Sequence, residues 1–443
     1  PQSGKSMGLR AAISGLALTH TPAEVGFYCL DFGGGSLTGM RDMPHVGSVC
    51  GRLDVDRVRR TIAEMTSLLQ ARELMFAELG IDGIGSYRRG RRDGSIQPDR
   101  FPTDVFLVVD GWMTLRQEFD AQDPIITNLA ARGLGYGLHV MLSANKWSEF
   151  RLGIRDLLQS RVELKLGDPF ESEINRKLAD LVPAGRPGRG LSGDGLHMLT
   201  GLPRIDGVEN AESATDGQRA MITRMQAAWH GPKAAEVRML PGDLPITALP
   251  EVAYDDDRKD VPWAIDEIDL APVMFDPKAE PHMVILGAPE CGKSTALRVI
   301  LNGLLKRYSP KQAKFMLLDY RRSLLGFVPE EYLIKYCPSQ KSGTETTKAL
   351  AGSLQNRVPG PDVTTQQYRD RSWWSGAEVF VIVDDYELVS TTQGNALLPM
   401  AELVSQARDI GLHMIITRGF GGAARSVGDQ IIGRMRDSGA PAF

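Results

Sequence analysis

Landmarks in this 443-residue chain return at fixed offsets. Pro1-Gln2-Ser3-Gly4-Lys5-Ser6 repeats the end of Gly287-Ala288-Pro289-Glu290-Cys291-Gly292-Lys293-Ser294-Thr295, which puts Lys5 and Lys293 288 positions apart. Phe27-Tyr28-Cys29-Leu30-Asp31-Phe32 answers Phe315-Met316-Leu317-Leu318-Asp319-Tyr320 at the same 288. Val105-Phe106-Leu107-Val108-Val109-Asp110 answers Val379-Phe380-Val381-Ile382-Val383-Asp384 at 274, an offset shared by Gly137-Leu138-His139 and Gly411-Leu412-His413. A solenoid would repeat every 20–50 residues or so, whereas repetition on this scale marks tandem domains. Two copies of one fold, each of about 200 residues, fit the length.

The second copy carries Gly-x-x-x-x-Gly-Lys-Ser between an apolar run, His282 to Leu286, and a helical segment, Ala296 to Leu301. In that strand–loop–helix setting the glycines let backbone N–H groups turn inward on phosphates, at a helix N-terminus of partial positive charge. Gly287, Ala288, Pro289, Glu290, Cys291, Gly292, Lys293, Ser294 and Thr295 form this candidate nucleotide cradle, with Gly4, Lys5 and Ser6 as its counterpart. Lys293 is expected at the β- and γ-phosphates. Ser6 and Ser294 are expected to hold Mg²⁺ together with Asp110 and Asp384, the carboxylates that end two buried strands. ATP and Mg²⁺ are therefore the expected cofactors.

Continuous apolar strands alternating with helices, with polar residues at the strand ends, predict an α/β fold with mainly parallel sheets flanked by helices. The expected domains are residues 1–231 and 264–443, joined by a Pro-rich linker over 232–263. In the first domain, Met7 to Leu18 and Thr215 to Trp229 read as helices. So does Val55 to Leu79, from the spacing of Val58, Ile62, Met65, Leu68, Leu69, Leu74 and Met75. Val162 to Leu166 reads as a further strand, and the basic segment Tyr87 to Asp93 as a solvated loop or a contact for phosphate or an acidic partner. The chain opens inside a phosphate loop whose leading Gly is cut off, so it is expected to be a fragment truncated within that loop. Gly439 to Phe443 stops where the first copy runs on toward Glu163-Leu164-Lys165-Leu166, so the second copy is expected to lack its last strand. A net charge of −4 excludes a global basic field for nucleic acid or anionic lipid. Cys29, Cys50, Cys291 and Cys337 show no paired or metal-type spacing, which suits a reducing cytosol. No apolar run reaches the roughly 18 residues of a membrane helix.

Arg132 ahead of Gly137-Leu138-His139, and Ala407-Arg408-Asp409-Ile410-Gly411-Leu412-His413, give the type of phosphate-loop protein. These segments resemble the FtsK/SpoIIIE/HerA motor family, and the resemblance implies two tandem P-loop NTPase domains of RecA-like, FtsK/HerA type. A closer resemblance, to the motor ATPases of type VII (ESX) secretion, rests on Leu166 to Glu173, Val182 to Gly190, Pro359 to Thr364, Ser372-Trp373-Trp374 and Val383-Asp384-Asp385-Tyr386. It covers essentially the whole chain. It implies a cytoplasmic homo-hexamer tethered to the inner membrane through other parts and other secretion subunits. It also implies recognition of the C-terminal signal of WXG100-type (EsxA/EsxB-like) substrates, with no nucleic acid. The competing reading is a double-stranded DNA translocase, since relatives of this fold pump DNA.

The family normally follows its strand-end Asp with a Glu that orients the attacking water. This chain has Gly111 and Asp385 there, so Asp110, Asp384 and Asp385 are the candidate catalytic residues and slow turnover is expected at both loops, slowest at the first. Asn145, Thr417 and Arg418 are candidate phosphate sensors. Arg161 is the candidate arginine finger, with Arg434 and Arg436 fitting the second copy only approximately.

Overall fold

The computed structural model describes residues 3–255, 257–268, 270–392, 394–420 and 429–443. The chain divides into two compact units, Pro1–Leu240 with Glu267–Leu270, and Pro241–Asp266 with Ala271–Phe443.

In the first unit β1 (Val25–Asp31), β2 (Val46–Gly51), β3 (Asp104–Asp110) and β4 (Leu138–Ser143) form one parallel sheet in the order β2-β1-β3-β4. Alternate side chains go to opposite faces. Phe27, Cys29 and Val108 meet Ile13 and Ala17 of the helix Lys5–Thr19. Tyr28, Leu30, Leu107 and Val109 meet Val58, Ile62 and Met65 of the helix Val55–Leu79. Both faces are covered, which is why these strands read as unbroken apolar runs. Each fully buried large side chain contributes about 1.5–3 kcal/mol. On the Val55–Leu79 helix the buried stripe ends with Arg72 and Phe76, while Leu74 is 66% exposed.

Two expectations for this unit fail. The basic segment is the helix Ile84–Asp93, closed by Gly94 in the left-handed region (φ 79°). Tyr87 is fully buried under the guanidinium groups of Arg72 and Arg91; Arg91 pairs with Asp99 at 3.2 Å and Arg88 with Asp104 at 2.6 Å. Local carboxylates take up those charges and so hold the segment folded. Second, the expected strand Val162 to Leu166 does not extend the main sheet. β5 (Val162–Leu164) pairs antiparallel with β6 (Arg189–Ser192), which pairs with β7 (His197–Leu199), as a separate three-stranded sheet.

The Pro-rich segment is shared between the units. Residues up to 240 lie on the first, where the Tyr28 hydroxyl donates to the Ala235 carbonyl at 2.7 Å. The buried Glu64 carboxylate there faces Arg60 and Arg100, both at 2.7 Å, and Arg238 at 3.1 Å. Removing one partner of such a buried cluster costs about 3–5 kcal/mol. Residues 241–263 belong to the second unit, where Arg307 donates to the Ala253 carbonyl at 2.6 Å.

The second unit opens with the hairpin β8 (Val261–Ile265) and β9 (Pro272–Phe275). Its main sheet is β10 (His282–Gly287), β11 (Ala313–Asp319), β12 (Leu333–Cys337), β13 (Glu378–Asp384) and β16 (Leu412–Gly419), all parallel, in the order β10-β16-β13-β11-β12. β14 (Ser390–Thr391) and β15 (Gly394–Asn395) make a small hairpin. Among the described residues no strand follows β16, and the last residues of the chain instead meet β10. Ala442 bridges Val284 in parallel, the N–H of Val284 donates to the Pro441 carbonyl at 3.0 Å, and that of Phe443 to the Val284 carbonyl at 3.0 Å. The chain end covers the free side of β10.

His282 begins β10 fully buried. Its Nδ1 accepts from the Met414 N–H at 3.2 Å and its Nε2 faces the Val404 carbonyl at 3.1 Å, so the neutral ring fills both positions. Burial depresses its pKa from 6.5 to about 4. Between those values the unfolded chain binds a proton that the folded chain refuses, so stability falls as pH falls from about 6.5 toward 4, by on the order of 2–3 kcal/mol. Urea denaturation across this window is expected to show that slope, and His282→Gln to flatten it.

Candidate phosphate-loop sites

Both candidate sites lie at the carboxyl ends of parallel strands, where open α/β sheets place their ligands. The helices Lys5–Thr19 and Lys293–Arg307 each have 15 residues and a glycine N-cap in the left-handed region, Gly4 at φ 99° and Gly292 at φ 96°. Only glycine takes that conformation at little cost. It turns the first helical N–H groups outward, toward the space a phosphate would fill. Glu290 is also left-handed (φ 60°), and a Cβ on Gly287 would lie 2.2 Å from the Cys291 sulfur, so the second loop closes tightly on itself.

Within the second loop, Lys293 is nearly buried and folded back, with Nζ donating to the Ala288 carbonyl at 2.9 Å. The Ser294 hydroxyl donates to Asp384 Oδ2 at 2.6 Å, and the Ser323 hydroxyl reaches the same oxygen. Asp384 Oδ1 accepts from Thr417 Oγ1 at 2.8 Å, and Thr417 in turn accepts from the Asp385 N–H at 2.9 Å. Ser294 and Asp384 thus offer two hard oxygen donors side by side, next to the lysine. That set suits Mg²⁺, which takes one or two protein oxygens and leaves its other positions to water and phosphate. Asp385 is left-handed (φ 54°), and its carboxylate sits 2.7 Å from Arg321 Nε and 3.9 Å from Lys293 Nζ. Burial and the neighbouring Asp384 and Glu387 raise its pKa despite both cations.

The first site repeats the frame with different fittings. Asp110 Oδ1 accepts from the Ser143 hydroxyl at 2.5 Å and Oδ2 from Ser36 at 3.1 Å. Ser143 also accepts from the Gly111 N–H at 2.9 Å. Gly111 is left-handed (φ 94°), matching Asp385 in backbone and lacking its carboxylate. The loop abuts the turn before β6, where the Gly188 N–H donates to the Ser3 carbonyl at 2.9 Å. Ser6 stands second in its helix, as Ser294 does.

Of the sensor candidates, Thr417 is at the site. Asn145 lies beyond the end of β4, exposed, its N–H donating to Glu149 at 3.1 Å, and the residue that does in the first unit what Thr417 does in the second is Ser143. The 274 offset already pairs 417 with 143. Arg418 is half-buried on β16 beside Leu286. Arg161 is held locally, donating to the Leu158 and Arg155 carbonyls, pairing with Glu173 at 3.2 Å and lying over Trp147. Arg434 pairs with Glu402, and Arg436 with Asp437. Sequence reading also missed Ser36, Ser323 and Arg321, because nothing short of the fold brings the turn after β1 or β11 to the neighbouring aspartate.

Two glycine-capped, lysine-bearing loops at the carboxyl ends of parallel strands, the second with its serine on a buried strand-end aspartate, define a tandem P-loop NTPase. The FtsK/SpoIIIE family model matches residues 1–206 and 252–332. The chain is 53% identical over 441 residues to the ESX secretion system protein EccC of Thermomonospora curvata, matching 100% of this chain and 33% of that protein. It is 39% identical over 453 residues to the ESX-1 secretion system protein EccCb1 of Mycolicibacterium smegmatis, matching 76% of that protein. Among solved structures, ATPases 2 and 3 of T. curvata EccC in complex with a signal sequence peptide match with a TM-score of 0.91 at 52% identity, over 100% of this chain and 79% of that one. The chain belongs to the FtsK/SpoIIIE family and, within it, to the EccC ATPases of ESX secretion systems. It spans about a third of the length of the T. curvata relative. Among the described residues no helix is long and apolar enough to cross a membrane.

Thr417→Val would leave a buried Asp384 oxygen and the Asp385 N–H without their partner. A loss of about 1–3 kcal/mol is expected in urea denaturation, with Thr417→Ser recovering most of it.

Proposed function

We propose that both loops bind Mg-ATP and turn it over slowly, as the ATP-binding part of a type VII secretion motor that recognises the C-terminal signal of WXG100-type substrates. The observation that carries the nucleotide reading is the Ser294–Asp384 contact at the head of a loop whose lysine lies within 4 Å of a second acid. Lys293, and Lys5 in the first loop, would draw in the terminal phosphates. Bound Mg²⁺ would neutralise the charge of the terminal phosphates. Ser294 and Asp384 would hold it, as Ser6 and Asp110 would in the first unit.

Slow turnover follows from the position after the strand-end acid. A well-placed general base contributes about 10²–10⁴-fold. Gly111 offers no group at all, and Asp385 is one methylene shorter than the glutamate usual in the family. Nucleotide at the first loop would then act as a structural or regulatory ligand. Recognition of a signal peptide is supported by the likeness to the peptide complex of T. curvata EccC. A cytoplasmic hexamer, tethered to the inner membrane through parts outside this chain and partnered by other secretion subunits, is the assembly we propose for the whole protein.

Titration with a fluorescent ATP analogue and Mg²⁺ tests the reading. Lys293→Ala is expected to weaken binding at the second loop by about 10- to 150-fold, the worth of a charged hydrogen bond, and Lys5→Ala to do the same at the first. ATP turnover is expected to respond to a WXG100 C-terminal peptide and not to duplex DNA. Stimulation by duplex DNA instead would favour a DNA translocase.

A further inference from the structure

Two of the differences between the sites of the two copies are coupled. The second unit has Asp385 after its strand-end acid and Arg321 in the turn after β11; the first has Gly111 and Gly33. Offsets of 274 and 288 pair these residues. Arg321 Nε lies 2.7 Å from Asp385 Oδ2, so the acid and the cation that touches it are present together in one copy and absent together in the other. At Gly33 a Cβ would lie 2.3 Å from Asp110 Oδ2, so the first turn has no room for the arginine.

We propose that Arg321 is a positioning residue that holds the Asp385 carboxylate away from the attacking water, so that release of this ion pair sets turnover at the second loop. The inference rests on the reading of that loop as an ATP site. Asp385 is the side chain in the water-orienting position, yet its Oδ2 is engaged by a guanidinium and its Oδ1 faces Lys293 at 3.9 Å. A carboxylate so engaged is a poor proton acceptor, held between the loop lysine and Arg321. Arg321 is 65% exposed, so the pair is weak and screened. The negative charge of a triphosphate can draw Lys293 off Asp385, which leaves Arg321 as the partner that holds the carboxylate.

The test is steady-state ATP turnover in the chain carrying Lys5→Ala, which silences the first loop. Arg321→Ala is expected to raise kcat about two- to fivefold, the range an ion pair with one exposed partner can supply, with KM unchanged. Arg321→Lys, which keeps the charge, is expected to follow the parent chain, and its normal behaviour guards against a folding defect in the alanine variant. With Asp385→Asn in place, Arg321→Ala is expected to change nothing further. A kcat that falls or stays the same with Arg321→Ala, or the same rise with Asp385→Asn in place, overturns the proposal. Failure of the underlying reading looks different: Lys293→Ala would then leave nucleotide affinity and turnover unaltered in the same background.

Discussion

A carboxylate buried at the end of a parallel strand is costly unless donors surround it. In both units that requirement organises the site. Asp384 is fed by Ser294, Ser323 and Thr417, and Asp110 by Ser36 and Ser143. Each donor comes from a different strand end or loop, so satisfying the acid fixes the turn after the neighbouring strand and the end of the next strand in both units, and the phosphate loop as well in the second. In the second unit the same donors leave Asp384 beside Ser294 at the loop head, where a metal can replace a hydrogen bond. Satisfying the buried charge and preparing a cation site are one arrangement.

The adjoining aspartates, Asp31 and Asp319, do different work. Asp319 accepts from the N–H groups of Ser323 and Leu324 and from the Tyr336 hydroxyl; Asp31 accepts from those of Gly35 and Leu37. They shape the turns that carry Ser323 and Ser36 to the neighbouring acid. The histidines that open β16 and lie near the start of β4 are similarly structural: His413 stacks on Phe380 and reaches Glu378, and His139 stacks on Phe106 and reaches Asp104. They sit at the strand ends opposite the loops.

Much of this was legible in the sequence. The repeat offsets located β1, β3, β11 and β13 to within about two residues and the starts of β4 and β16, because a parallel sheet covered on both faces demands unbroken apolar runs, while β2 and β12 went unread. The helix Val55–Leu79 followed from its apolar spacing, although Arg72, rather than Leu74, belongs to its buried stripe. What stayed hidden depends on partners distant in the chain. The helix at Ile84–Asp93 is stabilised by Asp99 and Asp104, which no local pattern reveals. The place of β5 outside the main sheet is set by its pairing with β6, and the pairing of residues 441–443 by β10. Ser143 was available from the 274 offset, but Asn145 drew attention as the more polar residue.

The crowding at Gly33 limits what can be transplanted from one copy to the other. An aspartate at position 111 would sit on a backbone at φ 94° with its Cβ 3.2 Å from the Phe32 backbone, where Asp385 has φ 54°. An arginine at position 33 would displace the Asp110 carboxylate, the group the site can least spare. Grafting the acid and its cation onto the first copy therefore means rebuilding the turn that carries them, not exchanging two side chains.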